Sequence, residues 1–440
     1  MKLIFGLVIL LFLPHCSFDK KSGIWKNENF IQGSKSNPYK DFKKISSSDE
    51  IFEDTIILNK TFSFKLSDAI KNDEWKDFYY NNSNNFVNFD YTNENKIIFQ
   101  SKKLTRFNPN NYLLFKNKNL IINDKKGNII IYSIEKKEII SKFNFYKKKY
   151  KNLDKKLYLI VENNLIFVSD NLGYLYVYDY INKNIVWAKN FKVPFKSNLK
   201  INGNNLIAAN QNNNIIFFDK KNGQLLKSIP TEETLVTNRF VNNFSFRENN
   251  LFFLNSFGSL YSINIKSKSI NWFINLNQAL ELTTTNLFFS TQIVNYDNII
   301  VVSTSRHTYF IDSRSGNIIS KKNFSSNFKP IINNDYVFFL TKKNMLIASK
   351  LKTGEILYSY KIDDQIKNLL NKRKKFVFTN FMLANNKLLV FLNNSFISFF
   401  NIRGNLEQIN KIPKKINSNP IFINGSILYL DVKNKLKIIS

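Results

Sequence analysis

The chain has 440 residues, enough for two or three ordinary domains or for one large repeat domain with a continuous core. Hydrophobic residues make up 43% of it and aromatic residues 15%, which excludes a disordered chain and supplies the Phe and Tyr that strands favour. The formal net charge of +31 raises nucleic acid or an anionic membrane as partners. However, the lysines are spread along the whole chain among Asn, Ile and Phe, and no nucleic-acid motif accompanies them. The basic runs Lys147–Lys151 and Asn371–Lys375 sit between apolar segments and read as solvated loops, so no nucleic-acid partner is expected.

The N-terminus, MKLIFGLVILLFLPHC, has one Lys and then an apolar run of about eleven residues that ends near Cys16, the only cysteine. That length suits an export signal and is too short to span a bilayer. A single Cys excludes an internal disulfide, and its position resembles the lipid-attachment cysteine of bacterial lipoproteins, although Pro14 and His15 stand where a small residue usually precedes it. The resemblance implies a signal over residues 1–16, acylation of Cys16 and, with Ser17 next, delivery to the periplasmic side of the outer membrane. Residues 17–54 are polar, with Gly23, Gly33, Pro38 and the run Ser46–Ser48, and read as a tether.

From Thr55 to Ser440, apolar runs of about four to seven residues alternate with clusters of Asn, Lys, Asp and Gly, and none keeps a helical period for long. One phrase recurs: an apolar run, a turn, a second run, a second turn and a third run. Its second run ends at Ser133, Asp179, Asp219, Asn264, Asp312, Lys350 and Asn401, a spacing of roughly 45 residues, which is that of a four-stranded propeller blade. A lone four-stranded sheet that is apolar on both faces leaves one face wet, so copies must stack, and a ring leaves no end copy uncovered. The alternation in Tyr174–Tyr178 (YLYVY) puts large rings on one face, where they fill the space between copies.

The last unit stops at Ser440 without a fourth strand, so the missing outer strand must come from elsewhere. Thr55–Leu66 (TIILNKTFSFKL) is the candidate. The expected fold is therefore all-β: an eight-bladed propeller of four-stranded antiparallel blades over residues 55–440, closed by an N-terminal strand. Seven blades are the fallback, because Asp73–Lys103 is irregular.

Catalytic chemistry is sparse. His307 is expected as a solvated turn residue, and no His, Cys and carboxylate set has zinc spacing. The pairs Glu232 with Glu233 and Asp363 with Asp364 lie in polar stretches and read as solvated loop residues. No glycine-rich phosphate loop is present, and neither metal nor cofactor is expected.

The recurring D-x-x-x-G, with Trp eight residues after the Asp in the best copies, resembles the repeat of quinoprotein-type propellers. Asp179 pairs with Trp187 and Asn264 with Trp272. The copies at Gly223, Gly316 and Gly354 have Lys227, Ser320 and Tyr358 at the Trp position. The resemblance implies that Trp187 and Trp272 dock one blade on the next. Two functional classes share the repeat. One is the quinone-dependent dehydrogenase, whose site needs calcium-ligating acid and amide groups and a catalytic Asp. The other is the non-catalytic BamB-type lipoprotein of the outer-membrane β-barrel assembly machinery, which the signal, tether and single propeller resemble along the whole chain.

That second resemblance implies a monomeric subunit of a hetero-oligomer, lipid-anchored to the membrane and bound to the barrel insertase. Its contacts would be Val193, Pro194, Phe195 and Lys196 in one loop and Arg239 in the next. The chain has Asn242 and Asn243 where the family is acidic. On the residues alone, Phe195 is either an exposed anchor or folds back on its own blade. A cell-wall glycan-binding propeller stays open as a third class.

Overall fold

In the computed structural model, residues 16–18, 25–27, 51–146, 150–233, 239–277, 288–370 and 376–440 are described. The chain divides into two units, 1–50 and 51–440. In the first, Cys16–Phe18 pairs antiparallel with Trp25–Asn27, so the stretch expected as a plain tether holds a short backbone ladder. The rest of the signal and tether lies outside the described residues.

The second unit is a ring of eight four-stranded antiparallel sheets. Blades 1 to 7 span 114–144, 157–190, 200–229, 243–275, 294–322, 331–361 and 378–411. All seven turn residues that end the recurring phrase are the last residues of a third strand, from Asn128–Ser133 to Phe396–Asn401. The central strands are buried on both faces, while the fourth strand is more exposed, as the wet rim of a ring must be; blade 6 is the exception, with Leu357, Tyr358 and Ser359 buried.

Blade 8 joins Ile421–Ile423, Ser426–Leu430 and Lys435–Ile439 to Ile97–Lys103 as its fourth strand. Closure by an N-terminal strand therefore holds, but the strand is not Thr55–Leu66. That segment lies on blade 6 instead, where Ile56 and Ser359 exchange backbone hydrogen bonds of 3.2 and 3.0 Å. Phe64 packs at 4.8 Å on Tyr336, and the Arg403 guanidinium of blade 7 donates to the Phe62 carbonyl at 2.6 Å. The rings of Phe62 and Phe64 choose the apolar cleft of blades 6 and 7 over a rim position. Ile97–Lys103 (IIFQSKK) falls within the stretch that reads as irregular, since an exposed rim strand needs no alternating apolar face.

Blades lock through one position on the fourth strand. Each fourth strand carries a β-bulge at the corresponding place, as at Val186, Leu226 and Ile319, where two residues face one on the third strand. A bulge twists an exposed edge away from foreign strands. The residue after it reaches the next blade. Trp187 donates its indole N–H to Lys220 O at 3.1 Å and covers Gly223, and Trp272 donates to Ser313 O at 3.1 Å and covers Gly316. The Trp thus meets the glycine of the following blade, not of its own. Aromatic stacking adds to this: Tyr178 of blade 2 stacks on Phe143 of blade 1 at 4.1 Å, and Tyr176 on Phe145 at 4.4 Å.

One connection departs from the all-strand pattern. Between blades 6 and 7, Ile362–Leu370 is a helix, with Asp363 and Asp364 in its first turn, where the helix dipole favours them, and Ile362 and Ile366 buried one turn apart. The acids expected in a loop therefore open a helix, and Asp363 accepts from the Asn344 amide at 2.9 Å.

Candidate functional site: the ring axis and the loop face

A ring of blades creates two places where a partner or ligand can be held: the axial hollow and the loop faces. The irregular stretch after Thr55–Leu66 fills the first. Residues 72–89 run once around the inside of the ring and bind the first strand of every blade. The Asn72 amide donates to Phe422 O of blade 8 at 2.8 Å, Trp75 exchanges backbone bonds with Phe115 of blade 1, and Val161 N of blade 2 donates to Lys76 O at 3.0 Å. Lys200 of blade 3 reaches Asp77, Phe246 N of blade 4 donates to Asn82 O, and Asn295 N of blade 5 donates to Ser83 O. The Asn85 amide both donates to and accepts from the Ile332 backbone of blade 6, at 2.7 and 2.9 Å, and Phe89 N donates to Leu383 O of blade 7.

Side-chain amides suit this inner hoop, because they mimic the backbone and satisfy first-strand groups that have no further strand to pair with. Two buried lysines clamp the hoop. The Lys200 ammonium donates to Asp77 Oδ2 at 2.6 Å, Asn81 O at 2.7 Å and Asn84 Oδ1 at 2.8 Å, which uses all three of its protons. The Lys329 ammonium donates to Tyr79 O at 2.7 Å and Asn84 O at 2.6 Å and lies 3.5 Å from the centre of the Phe86 ring. Burial holds Lys329 well below its ordinary value, and Lys200 is lowered for the same reason against the pull of Asp77.

Two clefts remain beside the hoop: one lined by Asn72, Glu74, Asp77 and Asn81 of the hoop with Ile160 and Glu162 of blade 2, and a second floored by Trp75, Phe78 and Phe86 of the hoop and walled by Tyr112, Phe328 and Phe381. In the second cleft Lys329 is the one formally charged side chain and no carboxylate lines it among the described residues, whereas the first holds Glu74, Asp77 and Glu162, each paired with a lysine.

A quinone cofactor with calcium does not fit these residues. Residues 72–89 occupy the hollow, the carboxylates beside them (Glu74, Asp77 and Glu162) are each taken up by a lysine, and no group of three His, Cys, Asp or Glu is placed to hold a metal among the described residues. His307 lies in the expected turn, but it is buried at 2% exposure and edge-on to Tyr309 rather than solvated. Glu232 is not a solvated loop acid either. It accepts from the Ser259 hydroxyl at 2.9 Å, from the Asn255 amide at 3.1 Å and from the Tyr261 hydroxyl. Glu233 is exposed, as expected.

The loop face formed by the connections between blades holds the partner positions singled out in the sequence. Their two loops are neighbours: Asn242 N donates to Lys196 O at 2.9 Å, and Ser197 pairs with Asn242. Arg239 is exposed, and Val193, Pro194 and Lys196 are half-buried. Burial and then the charge of Lys156 hold Lys196 below its ordinary value. Phe195 is only 1% exposed and packs on Phe191 and Phe218 at 5.9 and 6.1 Å, so of its two readings the inward one holds and it offers no exposed anchor.

The hoop was missed in the sequence. Its signal is Tyr79–Asn88 (YYNNSNNFVN), too rich in rings for a free loop and too rich in Asn for a blade strand.

Comparison with known proteins completes the description. The sequence profile of a family described as outer membrane protein assembly factor BamB matches residues 125–360. No curated protein matches in sequence. Among solved structures, BamB from Moraxella catarrhalis superposes with a TM-score of 0.62 at 12% identity, covering 78% of this chain and 99% of its own. The computationally designed Ika8 protein reaches 0.56 at 13% identity, covering 77% and 99%. Quinohemoprotein alcohol dehydrogenase from Comamonas testosteroni reaches 0.59 at 8% identity, covering 84% and 81%. At these identities the structures share the fold.

Proposed function

The chain belongs to the family of the outer membrane protein assembly factor BamB, and on that premise we propose that it is a non-catalytic, partner-binding scaffold in outer-membrane β-barrel assembly. The observation that carries the non-catalytic part is the inner hoop: the hollow where a ring could hold a cofactor is occupied by residues 72–89, tied to all eight blades. Function then falls to the loop faces. In this reading the partner is the barrel insertase, met by the neighbouring loops of Val193, Pro194 and Lys196 and of Arg239, with Phe195 holding the first loop in shape from beneath. Residues 1–16 act as the export signal, Cys16 carries the lipid and residues 17–54 tether the propeller at the periplasmic side of the outer membrane.

The test is affinity purification of the tagged full chain after mild detergent extraction. The insertase should co-purify, and Arg239→Glu with Lys196→Glu should reduce its recovery. Recovery of the protein alone, under conditions that keep the rest of the assembly complex together, would sink the proposal. The dehydrogenase reading requires quinone absorbance after incubation with the quinone and calcium; the hoop predicts a featureless spectrum.

A further inference from the structure

A second part of the same loop face has a one-sided chemistry of its own. A continuous arc runs over blades 8, 1 and 2, held by hydrogen bonds. The Asn434 amide donates to Thr105 O and Phe107 O at 3.1 and 3.0 Å, Lys125 N to Asn108 O at 3.0 Å and Lys155 N to Lys125 O at 2.8 Å. Three apolar side chains stand out of this arc: Phe107 at 45% exposure, Leu153 at 48% and Val432 at 55%. Beside Phe107 lies a groove of about 880 Å³, with Tyr146 on its wall and Lys126, Lys151 and Lys155 around it.

The arc is basic because its acids are used inside turns. Asp124 Oδ1 accepts from Lys126 N and Asn128 N at 3.0 and 3.1 Å, and Asp431 Oδ1 from Lys433 N and Lys435 N at 2.8 and 3.0 Å; both carboxylates are buried. Among the described residues of the connection 150–156, Asp154 is the only acid, and it faces Lys126 at 3.4 Å in an exposed pair of little strength. Arg106, Lys125, Lys151, Lys156 and Lys433 are all exposed on the same arc. Lys155 is held below its ordinary value by burial and then by the charge of Lys126, so the cluster repels itself.

We propose that this arc is a docking surface for an acidic protein segment, whose apolar or aromatic side chain seats in the groove between Phe107 and Tyr146 while its carboxylates meet Lys126 and Lys151. Charge complementarity selects the acid, and the groove selects an extended segment over a lipid surface, which would touch the three apolar tips and leave the groove unfilled. The groove is distinct from the Lys196 and Arg239 loops, which the arc approaches at Lys156, and the proposal does not depend on the assembly reading.

The test uses the full chain, a short fluorescent peptide of alternating Glu and Phe, and its counterpart with Lys for Glu. The acidic peptide should bind, more weakly as salt rises, and the basic one should not. Phe107→Asp with Lys126→Glu and Lys151→Glu should weaken binding by about tenfold or more, and Lys221→Glu with Lys266→Glu on the opposite face should leave it unchanged. Phe107→Ser alone, at an exposed site, gives the same answer at smaller size if the triple variant does not fold. Equal binding by wild type and Phe107→Ser, or co-sedimentation with phosphatidylglycerol vesicles without peptide binding, would overturn the proposal.

Discussion

The wall of the ring is built by repetition and the hoop inside it from bonds that occur once. In the wall, backbone pairs with backbone, the same bulge and docking position recur from blade to blade, and residues at that position vary from Trp187 to Lys227 to Ser320. In the hoop, single backbone bonds are joined by side-chain ones, and Asn72, Asp77, Asn84 and Asn85 make bonds to blades 8, 3, 4 and 6 that no other hoop residue repeats. Repetition makes the wall tolerant, since one weak joint is backed by seven others. The hoop has no spare copy, so its few polar groups should matter more per residue than anything in the wall.

The largest effect should come from Asp77→Ala. It strands the Lys200 ammonium in a site with no exposure and removes the acceptor of Tyr79 N, at a cost of about 3–5 kcal/mol in denaturant unfolding. A loss under about 1 kcal/mol would mean that the hoop does not hold the ring.

Next comes a pH effect. Lys329 has its folded value well below the ordinary 10.5 through burial. Between those two values the unfolded chain carries a proton that the folded chain has released, so stability from this group rises with pH, by up to about 1.4 kcal/mol per unit. Below the folded value both states are protonated and the slope vanishes. Lys329→Met should flatten the rise when unfolding is followed across alkaline pH.

The wall answers with a smaller number. Gly223 has φ +68°, and a Cβ there would sit 2.5 Å from the Trp187 ring, so Gly223→Ala should cost about 1–3 kcal/mol. In a Trp187→Ala background the collision is gone and the backbone strain remains, so a double-mutant cycle should show coupling between neighbouring blades. The smallest effect belongs to Lys227→Ala. This exposed residue stands where other blades place a docking ring, and its loss should stay within about 0.5 kcal/mol.

Most of the wall is legible in the sequence because its determinants are local. The turn residues from Ser133 to Asn401 mark the ends of third strands to the residue. The closing strand itself was misplaced, because Ile97–Lys103 pairs across more than 330 positions with Lys435–Ile439 and an exposed rim strand carries little apolar signal. The hoop is illegible for a related reason. Asn84 meets Phe244 and Ile293, and Asn85 meets Ile332, so its order exists only when blades far apart in sequence surround it. At the partner loops, the sequence places Val193–Lys196 and Arg239 on neighbouring connections. It left the direction of Phe195 open, because one aromatic between Pro and Lys carries no information about which way it points.

The central claim is that the ring axis belongs to the chain itself. Native-state hydrogen exchange tests it at Trp75 N and Phe89 N, which donate to Phe115 O at 2.7 Å and Leu383 O at 3.1 Å. The account predicts that these amides exchange with the same free energy as the central-strand amides of Ile130 and Val177, through global unfolding. Fast exchange at Trp75 and Phe89 while the blades stay protected would contradict it, because the hollow would then open for a ligand.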